Sequence, residues 1–292
     1  MSNKIVVGID GSAISERAVE FAADEAELHG TELEIIYAIA LPTDVDFYGV
    51  TIAGPQIEAL QHYADELLSA AVTTVNQRHP DLVCTTNSVI GTPTWVLINA
   101  SEDAAAIVVG RRGLGAVKSA FLGSVSSRLA TEASCPVFVI SEDEQRPTSG
   151  PIVVGVDDSE FGTAALAFAL TQAAARETTV RAVSAYRTPA IAIPIEPELV
   201  VELRKSEAAE AERILNTALE QARTPETASV EVVKVTVEDS PADAILTQSK
   251  DAQLIVVGSH GKGFVKRLLL GSVSRQVLHE ADRPVAVVDL SH

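Results

Sequence analysis

Two glycine-rich segments of the sequence have the residue types needed to hold a phosphate group. Their glycines and serines fall at the same spacing: Gly110, Gly113, Gly123 and Ser124, then Gly258, Gly261, Gly271 and Ser272. Glycine lets backbone N–H groups approach an anion closely. A helix that begins at the last glycine would add unpaired N–H groups and the positive end of its dipole, and the serine hydroxyl could bond a phosphate oxygen. The spacing therefore predicts two sites for a phosphorylated ligand.

The distribution of charge supports an anionic ligand independently. Residues 110–128 and 258–275 together hold eight of the 22 basic residues and none of the 40 acidic ones, in a chain of net charge −18. The alternative, that the glycines only serve turns, is disfavoured because spacing and charge bias occur twice. Across the whole chain, so acidic a surface argues against nucleic acids and anionic membranes as partners. The basic residues are Arg111, Arg112, Lys118, Arg128, Lys262, Lys266, Arg267 and Arg275.

Three other types of residue could contact the predicted ligand. Asp10 and Asp157 each end a first strand, where a carboxylate can accept from a ribose hydroxyl; a plain turn or helix-entry acid is the alternative, less favoured beside the glycine loops. His260 is the one histidine of six that falls in a loop of this kind, and a solvated histidine and a phosphate contact are equally open. Trp95, near a helix start, is expected to pack rather than to stack on a ligand.

Several familiar classes of site are missing from the sequence. There is no G-x-x-x-x-G-K-[ST] phosphate loop and no G-x-G-x-x-G after the first strand. Cys84 and Cys135 are the two cysteines, too few for a disulfide framework or a zinc site. Reduced cysteines, no signal peptide and no apolar run of ~20 residues lead us to expect a cytoplasmic protein without a membrane segment.

An internal duplication carries both loops. Residues 5–10 recur as 152–157 with an offset of 147, and Gly123-Ser124-Val125 recurs as Gly271-Ser272-Val273 with an offset of 148. We therefore predict a first domain over residues 1–141, a polar linker over 142–150 and a second domain over 151–292. In each copy, β-branched runs alternate with helical periodicity. This predicts the α/β class, with two tandem doubly wound (Rossmann-like) domains, each a five-stranded parallel sheet flanked by helices.

The loop pattern G-x-x-G, nine residues, then G-[ST] resembles the ATP-binding signature of universal stress proteins. The V-G-x-D start and the closing C/R-P-V strand are also similar to that family, over essentially the whole chain. The resemblance implies that the aspartates contact ribose, backbone near the second strand meets adenine, the residue before the motif lines the nucleoside, and the glycine loops hold phosphates. The residues implied in the first copy are Asp10, Ala38, Val109, Gly110, Gly113, Gly123, Ser124 and Val125. Those in the second copy are Asp157, Ala185, Val257, Gly258, Gly261, Gly271, Ser272 and Val273.

The same resemblance implies a nucleotide-dependent regulator in the stress response. ATP, with Mg²⁺, would bias a partner-binding state, and hydrolysis would be slow or absent because the loops offer no general base. A nucleotide-using enzyme of a related fold, such as an adenylyltransferase or ATP pyrophosphatase, is the alternative, although its H-x-G-H or S-G-G-x-D-S motifs are absent. A scaffold with empty pockets is a third possibility. We also expect an intrachain pseudo-dimer through the last strand of each copy, a homodimer and an unknown protein partner. The first loop has Arg111-Arg112 where the second has Ser259-His260, so the resemblance does not imply that the two sites bind ATP with equal affinity.

Overall fold

The computed structural model describes residues 4–41, 54–113, 122–141, 149–188, 197–261 and 269–290. The chain divides into two compact units, Met1–Glu142 and Asp143–His292. Both units alternate strand and helix, which confirms the predicted α/β class and the tandem arrangement of domains. Most of the predicted linker, residues 142–148, lies outside the described residues.

The first unit contains one five-stranded parallel sheet, as predicted. Its strands lie side by side in the order β3-β2-β1-β4-β5. The chain moves outward from β1 to β3 and then returns to the other side of β1 with β4, so the carboxyl ends of β1 and β4 flank the crevice in which such sheets bind ligands. The elements are β1 (Lys4–Ile9), α1 (Ala13–His29), β2 (Glu32–Ile39), α2 (Gly54–Arg78), β3 (Cys84–Ile90), α3 (Pro93–Ser101), β4 (Ala106–Gly110), α4 (Ser124–Glu132) and β5 (Val137–Ile140).

The second unit repeats this topology. Its parallel strands follow the order β8-β7-β6-β9-β10, with the crevice between β6 and β9. A short 3₁₀ turn over Pro225–Thr227 precedes β8 and has no counterpart among the described residues of the first unit. The elements are β6 (Ile152–Gly155), α5 (Glu160–Ala175), β7 (Val180–Tyr186), α6 (Pro197–Ala222), β8 (Val232–Glu238), α7 (Pro241–Gln248), β9 (Leu254–Gly258), α8 (Ser272–Glu280) and β10 (Val285–Val288).

Aliphatic side chains fill the core of each unit. The central strands are buried as continuous β-branched runs, including Val6, Val7 and Val108, because helices cover both faces of a parallel sheet. The helix after β1 packs closely because its buried face is rich in alanine, such as Ala18 and Ala22 in α1. The low aromatic content of the sequence is thus consistent with a core built from small and branched residues.

The helix that follows β1 is fixed at both ends by local signals. The Ser12 side chain accepts from Ser15 N at the start of α1, and Gly30 ends the helix in the left-handed region at φ 62°. The Gly30 N–H donates to the carbonyls of Ala26 and Glu27, which satisfies otherwise unpaired carbonyls. This capping holds the first turn of α1 directly after the end of β1, where the predicted ligand site begins.

A glycine inside the first strand of each unit allows a second helix to approach the sheet. A Cβ at Gly8 would lie 2.6 Å from Leu97 Cδ1 of α3, and a Cβ at Gly155 would overlap Ile245 Cδ1 of α7. Glycine here gives the close packing that forms one wall of the crevice. The glycine of the V-G-x-D motif therefore has a structural reason within the fold.

Candidate functional site

A cavity of about 780 Å³ lies at the carboxyl ends of β1, β2 and β4 in the first unit. It is bounded by the β1–α1 turn, the end of β2, the β4 loop and the start of α4. Its lining residues come from positions as far apart in the sequence as Gly8 and Ser127. All eight residues predicted for the first site line it: Asp10, Ala38, Val109, Gly110, Gly113, Gly123, Ser124 and Val125.

The second unit has a corresponding cavity of about 400 Å³ at the carboxyl ends of β6, β7 and β9. The same elements of the repeat form its walls, so the two cavities occupy equivalent places in the fold. All eight residues predicted for the second site line it: Asp157, Ala185, Val257, Gly258, Gly261, Gly271, Ser272 and Val273. The structure thus brings the predicted residues together, while their individual contacts with a ligand remain predictions.

The first-strand aspartate is held in a fixed orientation. Asp10 Oδ1 accepts from Ser12 N at 3.0 Å and from Ser12 Oγ at 2.6 Å. In the second unit, Asp157 Oδ1 accepts from Ser159 N at 3.2 Å and from the Ser159 hydroxyl. Because the N-cap serine is itself tied to the helix, each carboxylate is positioned by the capped turn that follows its strand.

The other carboxylate oxygen lies against the glycine loop. A Cβ at Gly113 would overlap Asp10 Oδ2, and a Cβ at Gly261 would lie 2.7 Å from Asp157 Oδ2. The second glycine of the G-x-x-G pattern thus has to be glycine for the loop to approach the aspartate. This close approach places a carboxylate acceptor and the glycine-rich backbone on one wall of each cavity.

The second half of the motif is fastened to the first by hydrogen bonds. Gly123 N donates to Arg111 O at 2.9 Å, and Gly271 N donates to Ser259 O at 2.9 Å. The last serine of each Gly-Ser-Val-Ser segment adds another: Ser126 Oγ donates to Arg111 O at 3.0 Å, and Ser274 Oγ to Gly258 O at 2.6 Å. These two serines were not predicted as site residues, although their unchanged recurrence in the repeat was a signal for them.

The start of the last helix is open in both cavities. Gly123 and Gly271 are the N-caps of α4 and α8, and among the described residues no side chain caps either helix. Both helices are nine residues long, and the N–H groups in the first turn of a helix have no partner within the helix. Each helix therefore directs these groups and the positive end of its dipole at the cavity. An anion bound at this position would accept hydrogen bonds from these backbone N–H groups.

Comparison with known proteins agrees with this geometry. The model of the Universal stress protein family matches residues 1–141 and again residues 149–289. The chain belongs to the universal stress protein family. A universal stress protein of Mycolicibacterium smegmatis is 34% identical over 290 residues, covering 97% of this chain and 96% of the relative. One from Mycobacterium bovis is 36% identical over 306 residues, covering 97% of this chain and 94% of the relative.

Solved structures give the same fold. A universal stress protein from Archaeoglobus fulgidus superposes with a TM-score of 0.71 and 21% identity, over 99% of this chain and 97% of its own. A universal stress protein solved in complex with cAMP is also similar, at 23% identity and a TM-score of 0.38, over 48% of this chain and 97% of its own. The first of these comparisons supports the doubly wound architecture of this universal stress protein.

The two cavities of this universal stress protein differ in the loop that follows the fourth strand of each unit. Arg111 and Arg112 line the first cavity. At the matching positions the second unit has Ser259, which is fully buried, and His260, which is 6% exposed and lines the second cavity. Of the two alternatives left open for His260, a solvated loop histidine disagrees with this burial, because the ring packs inside the fold instead of extending into water.

A three-residue hydrogen-bond network holds this histidine. Ser259 Oγ donates to Asp289 Oδ2 at 2.5 Å and lies 2.9 Å from His260 Nδ1. The ring also packs on Phe161 of α5, with 5.1 Å between the ring centroids. In the first unit, the positions that match Asp289 and Phe161 hold Ser141 and Ile14. The network is therefore a property of the second copy, and sequence reasoning missed it.

The cavities also differ at the end of the second strand of each unit. Tyr37, at the end of β2, lines the first cavity, and its ring meets that of Tyr63 edge to face at 6.3 Å. Burial, Tyr63 and Asp10 together raise the pKa of the Tyr37 hydroxyl above its ordinary value. The second cavity has Ser184 at the matching position. An aromatic wall beside the aspartate is thus present in the first site and replaced by a small hydroxyl in the second.

Other sequence expectations have mixed outcomes. Trp95 was expected to pack, but 58% of it is exposed, so that expectation is wrong. Lys118, Lys262, Lys266 and Arg267, assigned to the basic loops, lie outside the described residues.

Two kinds of feature are absent from the described part of the chain. No group of three or more His, Cys, Asp or Glu residues there could hold a metal ion. None of the helices there is both long and apolar enough to cross a bilayer.

Proposed function

We propose that this universal stress protein is an adenine-nucleotide-binding regulator with one nucleotide site in each unit. The observation that carries the proposal is the repeated juxtaposition of a fixed carboxylate with an uncapped helix N-terminus. In the first cavity these are Asp10 and the Gly123-Ser124-Val125 turn. A carboxylate recognises ribose hydroxyls and a helix N-terminus recognises phosphate, so the two groups together suit a nucleotide.

The shape of the glycine loop also fits such a ligand. Gly113 lies where a Cβ would overlap Asp10, and Gly123 lies where a Cβ would come within 3.0 Å of Arg111 O. Glycine at these two positions therefore lets the backbone come closer to the cavity than a residue with a side chain would. Ala38 and Val109 offer small apolar surface beside this loop, as a purine and its sugar require. We assign ATP as the ligand, with Mg²⁺ accompanying its phosphates.

ATP acts in this proposal as a ligand rather than as a substrate. Among the described lining residues of the first cavity, Asp10 is the carboxylate, and its Oδ1 is already held by Ser12. Positioning an attacking water requires a base directed at the phosphates, and Asp10 lies at the ribose end in this assignment. We therefore propose slow hydrolysis at most, with ATP shifting the population of a state that binds a protein partner. The stress response, a cytoplasmic location and a homodimer belong to the same proposal.

Substitution of the N-cap glycines tests the sites. A Cβ at Gly271 would meet its nearest neighbours at 3.4 Å or more, whereas a Cβ at Gly123 would meet Arg111 O at 3.0 Å. The fold therefore accepts Gly271→Ala, but the methyl group would fill space that phosphate needs. We expect Gly271→Ala to weaken the second site by about tenfold or more, equivalent to about 1.4 kcal/mol, with unchanged stability. Gly123→Ala should weaken the first site and also slightly destabilise its unit.

Calorimetric titration with MgATP measures this effect. Each variant should show one site of wild-type affinity and one weakened site. Gln276→Ala, in the same helix α8 but outside the cavity lining, is the control and should retain both sites. If both glycine variants bind two equivalents of MgATP with wild-type affinity, the site assignment is wrong.

A further inference from the structure

The outer edge of β3 presents a row of backbone groups to solvent, because among the described strands β3 pairs with β2 alone. At the start of the strand, Leu33 N of β2 donates to the Val83 carbonyl. At its end, Gly91 N donates to the Ile39 carbonyl, so the odd-numbered residues between them direct their backbone groups to β2. Since successive residues of a strand alternate in direction, the even-numbered residues direct theirs outward. Such an edge is a template for another strand.

The side chains along this edge carry no charge. Every residue from Val83 to Ile90 is uncharged, in a chain of net charge −18. Val83 is 56% exposed, Ile90 48% and Trp95, at the start of α3, 58%. Natural proteins ordinarily protect an edge strand with charged residues, with proline or with a covering element. We call residues 83–90 together with Trp95 the β3 edge surface.

The matching edge of the second unit has this protection. β8 takes the place of β3 there, and four positions that are uncharged in the β3 edge surface hold exposed charged residues. Charged side chains on an edge oppose pairing with another strand. The uncharged edge is therefore a property of the first unit and not a requirement of the fold. The matching pairs are Val83 and Glu231, Thr86 and Lys234, Ile90 and Glu238, and Trp95 and Asp243.

We propose that a second copy of this chain binds the β3 edge surface, with the two β3 strands antiparallel about a two-fold axis. When Asn87 lies on the axis, every outward-facing residue of the strand has a partner. Cys84 of one copy pairs with Ile90 of the other, and Thr86 pairs with Ser88. These are the hydrogen-bonded pairs of an antiparallel ladder, in which the two residues exchange both backbone hydrogen bonds.

The ends of this ladder bring exposed apolar side chains together. In the same register, Val83 of one copy lies opposite Gly91 of the other, and residues directly opposite each other share a face of the sheet. Trp95 lies on that face, because a Cβ at Gly91 would be 3.2 Å from Trp95 Cε3. Val83 therefore packs beside the indole of the second copy at both ends of the ladder. Removing both side chains from water favours association.

Charge and symmetry favour a second copy as the occupant. A two-fold contact uses the same patch on both subunits, and two chains as acidic as this one repel each other unless the patch itself is uncharged. One strand ladder with two indole contacts is smaller than the interface of a stable complex, so we expect association in the micromolar range. The inference rests on the homodimer included in the proposed function and names its surface.

Trp95 reports this association directly, because it is the only tryptophan in the chain. As the wild-type protein is concentrated through the micromolar range, its emission should shift to shorter wavelength while sedimentation velocity shows dimer replacing monomer. A chain that stays monomeric with Trp95 in water at every concentration would overturn the proposal.

Charged residues taken from the second unit locate the surface. Thr86→Lys should weaken association about tenfold or more, because the axis brings the two introduced charges to diagonal positions of the ladder. Trp95→Asp should have a similar effect through the loss of a buried aromatic contact. Asp243 at the matching position of α7 indicates that the helix start accepts aspartate.

The edge of the second unit supplies the matched control. Thr236→Lys, at an exposed position of β8, should associate like the wild type. A dimer that survives both Thr86→Lys and Trp95→Asp, or one that only Thr236→Lys weakens, would show that another surface is used and would overturn the proposal.

A single cysteine tests the register. Asn87→Cys combined with Cys84→Ser places two thiols across the axis, in a pair whose Cα atoms are about 4.5 Å apart, which a disulfide can span. Mild oxidation should then give a covalent dimer. Thr85→Cys with Cys84→Ser is the control, because its partner in the ladder is Val89 and its two thiols are about 13 Å apart. Equal cross-linking of the two variants, or none of Asn87→Cys, would overturn the two-fold pairing.

Titration with MgATP separates this inference from the proposed nucleotide binding. The described lining of the first cavity includes no residue of the β3 edge surface, so Thr86→Lys should bind MgATP like the wild type. Binding of MgATP by a chain that never associates would overturn this inference alone. Association through the β3 edge surface without any MgATP binding would support it and overturn the proposed nucleotide sites.

Discussion

The two cavities share a backbone frame and differ in the side chains placed on it. In both units the strand-end aspartate is held by the N-cap serine, and the loop glycine approaches its other oxygen. In the glycine loop, however, Arg111 and Arg112 of the first unit are replaced by Ser259 and His260. The comparison indicates which positions build the pocket and which set its local chemistry: the former recur unchanged, whereas the latter differ between the copies.

The difference in the varying positions is coordinated. His260 is accompanied by three changes that contact it directly, namely Ser259, Asp289 and Phe161. A buried polar group is costly unless its hydrogen bonds are satisfied, so a histidine in this position requires such neighbours. The second site is thus an internally consistent alternative to the arginine-lined one, and the molecule carries both versions in one chain.

The largest effect that we expect tests the shared frame. Gly113→Ala would place a methyl group on Asp10 Oδ2, and Gly261→Ala would place one 2.7 Å from Asp157 Oδ2. Each carboxylate must move, and with it the proposed ribose contact. We expect Gly113→Ala to weaken the first site about a hundredfold, or about 2.7 kcal/mol. Gly261→Ala should weaken the second by less, because its overlap is smaller.

Titration of each variant with MgATP checks the pair, with the unchanged unit in the same molecule as its control. Asp10→Ala should match Gly113→Ala if the displaced carboxylate causes the loss. Full affinity at the first site in Gly113→Ala would show that the close approach of loop and aspartate has no part in binding. The proposal that both sites depend on this approach would then be wrong.

A smaller effect distinguishes the cores of the two units. Burial raises the pKa of the Cys135 thiol to about 12, and the matching position of the second unit holds Arg283. Native Cys135 therefore keeps its proton in a pH range where the unfolded chain loses it. Its contribution to stability is complete below the ordinary thiol pKa and is lost as the pH rises toward about 12.

Denaturant unfolding of the wild type and Cys135→Ala at about pH 7 and about pH 10 measures this contribution. The stability advantage of the wild type should shrink by about 2 kcal/mol at the higher pH. Burial also raises the pKa of the Cys84 thiol, but Cys84→Ala should show a smaller change because that thiol is less buried than Cys135. An advantage of the wild type over Cys135→Ala that is independent of pH would contradict the assignment.

The sequence predicted the frame because the frame depends on local and repeated signals. Gly30 ends α1 in the left-handed region, a conformation for which glycine at a helix end is a local sequence signal. The recurrent glycines and aspartates also point to one sheet edge, since parallel strands align their carboxyl ends. These features follow from residue types at fixed spacing, so two copies in one chain were enough to reveal them without any other sequence.

The side chains that distinguish the sites could not be predicted in the same way. Asp289 lies 30 residues from Ser259 in the sequence, and only the pairing of β9 with β10 brings them together. The burial of His260 depends on Phe161 of α5, which is still more distant in sequence. Trp95 shows the opposite error, since its size suggested packing although the fold leaves it exposed. Contacts between distant elements decide all of these cases.

The stoichiometry of nucleotide binding tests the central claim most directly. Purified wild-type protein, freed of bound nucleotide, would be titrated with MgATP by calorimetry at protein concentrations well above the dissociation constants, so that the equivalence point counts sites. The account predicts two equivalents per chain, one for each cavity, and a weaker response to MgGTP. One equivalent or none, or two equivalents that persist when Gly113→Ala and Gly261→Ala are combined, would contradict it.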